Sequence, residues 1–219
     1  VSSNIVALLG LNFKANKNLN LQVWDVYTDN VFNTAMLQAD LLFPQKNSSS
    51  FFAAIQFIRQ DAINLGGNTN AAKTYFEKNG RSFSFGARAG WKNKTWETSI
   101  NYNRITGHGR YLMPREWGRE PFFTFLPRER NEGFGDVNAI MAKVNYNFNN
   151  VRIKTSLAAG YYNLPDVKNY SLNKYGMTSY TQINADVRYF FAGVLKGLEA
   201  QVLIAGKIND GDVYDNDKY

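Results

Sequence analysis

The segment between residues 104 and 135 holds the densest set of side chains that could recognise a charged ligand. Arginine and glutamate alternate there, and prolines restrict the backbone. Because arginine binds a carboxylate through two parallel hydrogen bonds, an arginine without an acidic neighbour could hold a small carboxylate. An alternative stays open, in which every arginine pairs with a glutamate and only fixes the segment. The residues expected to contact a solute are Arg115, Arg119, Arg128, Arg130, Glu116 and Glu129.

The rest of the composition offers little for catalysis or metal binding. The chain has no cysteine and one histidine, His108, which excludes thiol catalysis and Cys-based zinc sites. It contains neither a Gly-x-Ser-x-Gly motif nor a phosphate-binding loop. We therefore expect no enzyme activity, no catalytic residue, no metal and no cofactor. The formal net charge of +7 is spread among both signs along the chain, which argues against nucleic-acid binding.

Hydrophobic periodicity predicts the elements that must position these residues. Ten segments alternate apolar and polar residues with a period of two and are rich in Val, Ile, Phe, Tyr and Thr, as β-strands are. Most are about 10–13 residues long, whereas strands of soluble sheets average about 5–6. The predicted strands are 4–14, 18–27, 31–43, 50–61, 80–91, 96–106, 136–148, 151–162, 178–191 and 198–209.

Two architectures fit such strands: a soluble β-sandwich and a transmembrane antiparallel β-barrel. No apolar run approaches the ~20 residues of a membrane helix, but membrane barrels carry their signal in alternation. Aromatic residues at strand ends and alternating short and long connections favour the barrel. We therefore expect residues 1–219 to form a single all-β barrel domain. The sandwich alternative would be a soluble carbohydrate-binding protein.

The turns predict how strands pair. A two-residue hairpin at Asn149-Asn150 would place Phe148 opposite Val151, and a similar turn would place Trp91 opposite Trp96. Both registers keep apolar residues on one face and polar residues on the other.

A basic track is expected on the polar face, because a charged side chain facing lipid is costly. Its counter-charges would be Asp40, Glu97, Asp186 and Glu199, and full neutralisation by these acids stays open as an alternative. The predicted track comprises Arg88, Lys143, Arg152, Lys154, Arg188 and Lys207.

Two motifs resemble those of OprD-type bacterial outer-membrane porins. One is Pro-Arg-Glu-Trp-Gly-Arg-Glu-Pro at 114–121, followed by Pro-Arg-Glu-Arg-Asn-Glu-Gly at 127–133. The other is a strand, tight turn and strand within residues 21–32. The resemblance implies a barrel of 16–18 strands, so strands at both ends would be missing here. The loop at 107–135 would be external, or folded inward as a constriction.

The function expected from this resemblance is passive, substrate-selective uptake of small polar solutes, possibly carboxylates, across the outer membrane of a Gram-negative bacterium. Expected partners are those solutes, outer-membrane lipid and lipopolysaccharide. The protein would act as a monomer or within a larger envelope complex. A further alternative is the barrel of a gated outer-membrane receptor.

Overall fold

Ten antiparallel strands form one sheet in which each strand pairs with the next along the sequence. The computed structural model describes residues 3–114 and 117–212. All ten predicted strands are confirmed within two residues at either end, and one continuous sheet does not fit the two-sheet sandwich. Strands β1 to β10 are Val6–Lys14, Leu19–Thr28, Phe32–Pro44, Ser50–Ala62, Arg81–Lys92, Trp96–Ile105, Val137–Phe148, Ile153–Asn163, Ser179–Phe190 and Glu199–Asp210.

The two faces of the sheet differ in polarity because successive side chains of a strand point to opposite sides. On the outer face, large apolar side chains are exposed; Ile55 is 64%, Ile100 63% and Leu157 57% accessible. The opposite, inner face carries amides, hydroxyls and charged groups. The loop 107–135 is here called the inner loop, and its described residues lie against this face. Face assignment from alternation was therefore correct.

The predicted registers are wrong by two residues. Phe148 pairs with Ile153 instead of Val151, and Trp91 pairs with Thr98 instead of Trp96. The turn at 149–152 places Arg152 at a φ of 56°, so β8 begins at Ile153, two residues later than predicted. Because the offset is an even number of residues, every side chain keeps its predicted face.

The connections separate the two ends of the sheet. Short turns follow β1, β3, β5, β7 and β9, whereas the long connections 63–80, 106–136 and 164–178 follow β4, β6 and β8. The turn after β2 is short, as predicted. Among the described residues, no helix has the length and apolarity needed to cross a membrane. Single-turn 3-10 helices lie at Lys46–Ser48, Ala71–Lys73 and Gly193–Leu195.

Candidate functional site

The inner loop is fastened to β4 by two glutamines. Gln60 Nε2 donates to the carbonyl of Leu112 at 2.8 Å, and its Oε1 accepts from the Leu112 amide at 2.9 Å. Four residues earlier on the same face of β4, Gln56 Nε2 donates to the carbonyl of Pro121 at 3.0 Å. Both glutamines are buried, so each bond replaces water that the loop backbone has lost.

The same loop is fastened on its other side to β8 and β9. Tyr162 Oη donates to the carbonyl of Thr124 at 2.6 Å. The carbonyl of Pro127 accepts from both Gln182 Nε2 and Asn184 Nδ2, each at 2.8 Å. The loop therefore crosses the inner face from β4 to β9 and partitions the space beside it.

Apolar packing holds the loop between these fastenings. Gly86 on β5 allows Phe123 to approach closely, since a Cβ there would lie 3.2 Å from the Phe123 ring. Burying several aromatic side chains in this way contributes about 1.5–3 kcal/mol for each. The inner loop and the sheet share one hydrophobic core. It contains Ile58, Ile105, Tyr111, Phe122, Phe134, Val137, Tyr162, Leu164 and Tyr180.

A buried charge network stiffens the C-terminal half of the loop. Arg130 Nε lies 3.2 Å from Glu132 Oε2 and 3.9 Å from Glu120 Oε1, and Arg130 Nη2 donates to the carbonyl of Met113 at 2.8 Å. Lys174, from the connection 164–178, adds a second cation 3.4 Å from Glu132 Oε1. Arg130 is thus engaged in structure and has little capacity left for a solute.

Burial shifts the proton affinity of two glutamates in this network. It raises the pKa of Glu120 to about 7, against the opposing effects of the Asn131 and Glu132 amides and of Arg130. Burial, and then the charge of Glu120, raise the pKa of Glu129. Glu129 accepts from Tyr180 Oη at 3.3 Å and is only 4% accessible. The predicted contact of Glu129 with a solute does not fit this position.

Two of the predicted arginines remain open to solvent. Arg119 is exposed, with its guanidinium 5.9 Å from the centre of the Phe125 ring. Arg128 is exposed on a residue with a φ of 72°. Neither has an ion-pair partner within 3–114 and 117–212. The other two residues predicted in this set, Arg115 and Glu116, lie outside the described residues.

Half of the predicted basic track borders one recess of about 500 Å³ between the inner loop and the short turns. Lys143, Lys154 and Arg188 line it, and Lys154 stands directly opposite Arg188 on the neighbouring strand. Arg188 pairs with Asp186 at 3.3 Å and Glu199 at 3.0 Å. Lys143 and Lys154 have no ion-pair partner in the described part of the chain. We call this space the basic recess.

The remaining track residues lie elsewhere. Arg88 pairs with Asp40 at 2.8 Å beside a second recess of about 550 Å³. Lys207 Nζ lies 3.8 Å from the centre of the Tyr180 ring, next to the inner loop. Arg152 belongs to the turn 149–152 and not to the strand wall. The track is therefore divided into local groups.

Sequence reasoning missed the wall residues that hold the loop. These residues lie on the polar face and are buried against the loop; they are Gln56, Gln60, Gln182 and Asn184. Their spacing by two or four residues on one strand face was the available signal. Within the described ranges, no group of three or more His, Cys, Asp or Glu side chains comes together to hold a metal.

Solved structures from Acinetobacter baumannii and Pseudomonas aeruginosa share this fold. OccAB4 of Acinetobacter baumannii superposes with a TM-score of 0.77 at 15% identity, over 97% of this chain and 50% of that one. OccK5 (OpdH) of Pseudomonas aeruginosa gives 0.74 at 14% identity, over 96% and 54%. OccAB2 of Acinetobacter baumannii gives 0.71 at 18% identity, over 93% and 49%.

These likenesses identify the fold. The ten-stranded sheet has the architecture of part of an OprD-type barrel, so the predicted resemblance is confirmed at the level of the fold. The chain spans about half the length of the solved structures that it matches. No protein-family model and no curated protein matches it.

Proposed function

We propose that this chain is part of an outer-membrane channel of a Gram-negative bacterium, through which small hydrophilic solutes pass without catalysis. The fold shared with Occ channels supports this proposal. So does the outer face, on which Val202, Ile204 and Ile208 are each more than 60% accessible. Exposing apolar surface to water costs about 25 cal/mol per Å². Contact with lipid removes that cost.

The solutes we propose are small anions, carboxylates among them. The observation that carries this proposal is the presence of Lys143 and Lys154 on the wall of the basic recess, where neither has an ion-pair partner among the described residues. Cations of one sign on the wall of a channel raise the local concentration of anions. Arg119, which also lines the recess, is the proposed contact from the loop side.

The inner loop would act as the constriction of this channel. Its fastenings to β4 and β9 fix the backbone at Pro121 and Pro127, close in sequence to Arg119 and Arg128. An arginine next to such a fixed backbone could bind a carboxylate through two hydrogen bonds at a lower conformational cost. The proposed partners are small polar solutes, together with the surrounding outer-membrane lipid and lipopolysaccharide.

Planar-bilayer recording of the full-length protein tests the proposal. With a salt gradient across the bilayer, reversal potentials should show a preference for chloride and small carboxylates over potassium. The double variant Lys143→Gln/Lys154→Gln should lower this anion preference several-fold. The matched control is Lys46→Gln/Lys196→Gln, which removes two cations from exposed turns. Absence of conductance would reject the channel, whereas cation preference in the wild type would reject only the choice of solute.

A further inference from the structure

The outer face carries its cations in one place. Among the described strand residues on that face, Lys and Arg occur only as Arg59, Arg81 and Arg104. They lie on the adjacent strands β4, β5 and β6, close to the ends from which the long connections 63–80 and 106–136 start. We call these three residues the outer arginine cluster.

Strand register places this cluster at the border of the apolar band. Arg59 stands opposite Phe83, and Arg104 opposite Phe85. One step towards the short turns, the outer face becomes apolar with Phe57 and Tyr102. A molecule on this surface would meet positive charge at one level and apolar side chains immediately below it.

The guanidinium groups of this cluster retain N–H donors for a further acceptor. Arg59 donates through Nε and Nη2 to Asp61 at 2.7 and 3.0 Å and lies 5.7 Å from the centre of the Phe83 ring, so its Nη1 remains for another acceptor. Arg104 pairs with Asp136. Arg81 is exposed and has no ion-pair partner among the described residues, since its neighbour Asp61 is occupied by Arg59.

The charges of the cluster do not cancel. Its three arginines face two aspartates, Asp61 and Asp136, which leaves one positive charge in excess. The imidazole of His108 contacts the Phe83 ring at 5.5 Å, beside Arg59. A phosphate group suits this surface because guanidinium groups match its geometry with parallel hydrogen bonds.

We infer that the outer arginine cluster binds the phosphate group of a phosphorylated, acylated lipid in the outer leaflet. The inference rests on the proposed function, which places the outer face in lipid. The phosphate would accept from Arg81 and from Arg59 Nη1, while the acyl chains run along Phe57, Phe85 and Tyr102. A soluble phosphate would gain only the first of these contacts.

Native mass spectrometry of the full-length protein in detergent tests this inference. The probes are a diphosphorylated, acylated glucosamine disaccharide, the same lipid without phosphates, and inorganic phosphate. The wild-type protein should retain the phosphorylated lipid in preference to the other two. The double variant Arg59→Gln/Arg81→Gln, which removes both proposed phosphate donors, should lose about tenfold in retention, as expected for removing charge-assisted hydrogen bonds.

The matched control is Arg119→Gln/Arg128→Gln, which removes the same charge from the inner loop and should retain the lipid. Equal retention by wild type and the cluster variant would overturn the inference, and so would equal retention of the lipid with and without phosphate. Binding of inorganic phosphate as strong as that of the lipid would also overturn it. Channel conductance, measured on the same samples, should be unchanged by the cluster variant. If no sample showed channel conductance, the result would count against the proposed function alone.

Discussion

The inner loop and the basic recess border each other, yet they use charged residues in opposite ways. In the loop, Glu120, Glu129 and Glu132 are buried, and Arg130 is the cation shared by Glu120 and Glu132. In the recess, Lys143 and Lys154 are accessible and lack acidic partners in the described part of the chain. The sequence is rich in charge in both regions, so composition alone does not distinguish them.

Burial accounts for the difference. A charge removed from water is costly unless a partner and hydrogen bonds compensate it, and the loop provides both. A charge on a solvent-exposed surface is stabilised by water and needs no partner, and its electric field acts on a nearby solute. Substitutions in the loop are therefore expected to lower stability and to change the position of the loop. Substitutions of the two unpaired recess lysines, Lys143 and Lys154, should instead preserve stability and change selectivity.

The largest effect is expected from Arg130→Ala. This change leaves the buried carboxylate of Glu120 without an ion-pair partner in the described part of the chain and leaves Glu132 with Lys174 alone. Removing one partner of a buried ion pair typically costs about 3–5 kcal/mol. The loop should release from the wall, and single-channel conductance should rise with larger current fluctuations. Thermal unfolding monitored by tryptophan fluorescence provides the second measurement.

Arg128→Ala is the matched control for this prediction, since Arg128 is exposed two residues away. It should leave the melting temperature nearly unchanged, and because the loop stays in place, it should not produce the larger current fluctuations expected of Arg130→Ala. If both variants behaved alike, the distinction between structural and accessible arginines in this loop would be wrong.

The next largest effect is expected from Gln60→Ala. This side chain bonds both the amide and the carbonyl of Leu112 and also Thr34 Oγ1. Each buried backbone group left unsatisfied costs about 1–3 kcal/mol. Hydrogen exchange at residues 107–114 should accelerate, whereas Gln45→Ala in an exposed turn should have no effect there. Unchanged exchange would mean that packing alone holds this end of the loop.

Much of the fold could be predicted from the sequence because alternation is a local property. The ten strands and their faces followed from period-two patterns, as in β5, where Phe85 and Arg88 point to opposite sides. The registers of the strand pairs were harder to predict from the sequence. The turn 149–152 contains four residues because Arg152 adopts a positive φ, and that conformation depends on the hairpin as a whole.

The site was harder to predict because partners in it are distant along the chain. Arg88 pairs with Asp40, which lies 48 residues away along the chain. Gln182 reaches Pro127 across 55 residues. Pairwise contacts of this kind depend on which strands are neighbours and on where the loop folds. The amino-acid composition of the loop predicts neither of these.

A smaller effect is expected from pH, through Glu120. Burial raises its pKa from 4.5 to about 7, so the folded chain holds more protons than the unfolded chain between these values. The contribution of Glu120 to the free energy of unfolding should be fully present below about pH 4.5 and should be lost as pH rises through 7. Melting temperatures measured from pH 5 to pH 8 should show this decline.

Glu120→Gln should flatten part of that profile, since the amide carries no proton equilibrium. The remaining slope should come from Glu129, whose pKa is raised in the same direction. A profile that rises towards pH 8 in the wild type would contradict burial as the cause of the shift.

The smallest effect on stability, and the one that separates the two regions most directly, is expected from Lys154→Gln. Lys154 stands opposite Arg188, so removing its charge should leave stability unchanged or raise it by about 0.2–1 kcal/mol. The same change should reduce anion preference in bilayer recordings. Arg188→Gln makes an informative contrast, because it also leaves Asp186 and Glu199 without their cation and should lower the melting temperature. A loss of stability in Lys154→Gln equal to that in Arg188→Gln would show that the recess is held together by its charges as the loop is, and the comparison between the two regions would fail.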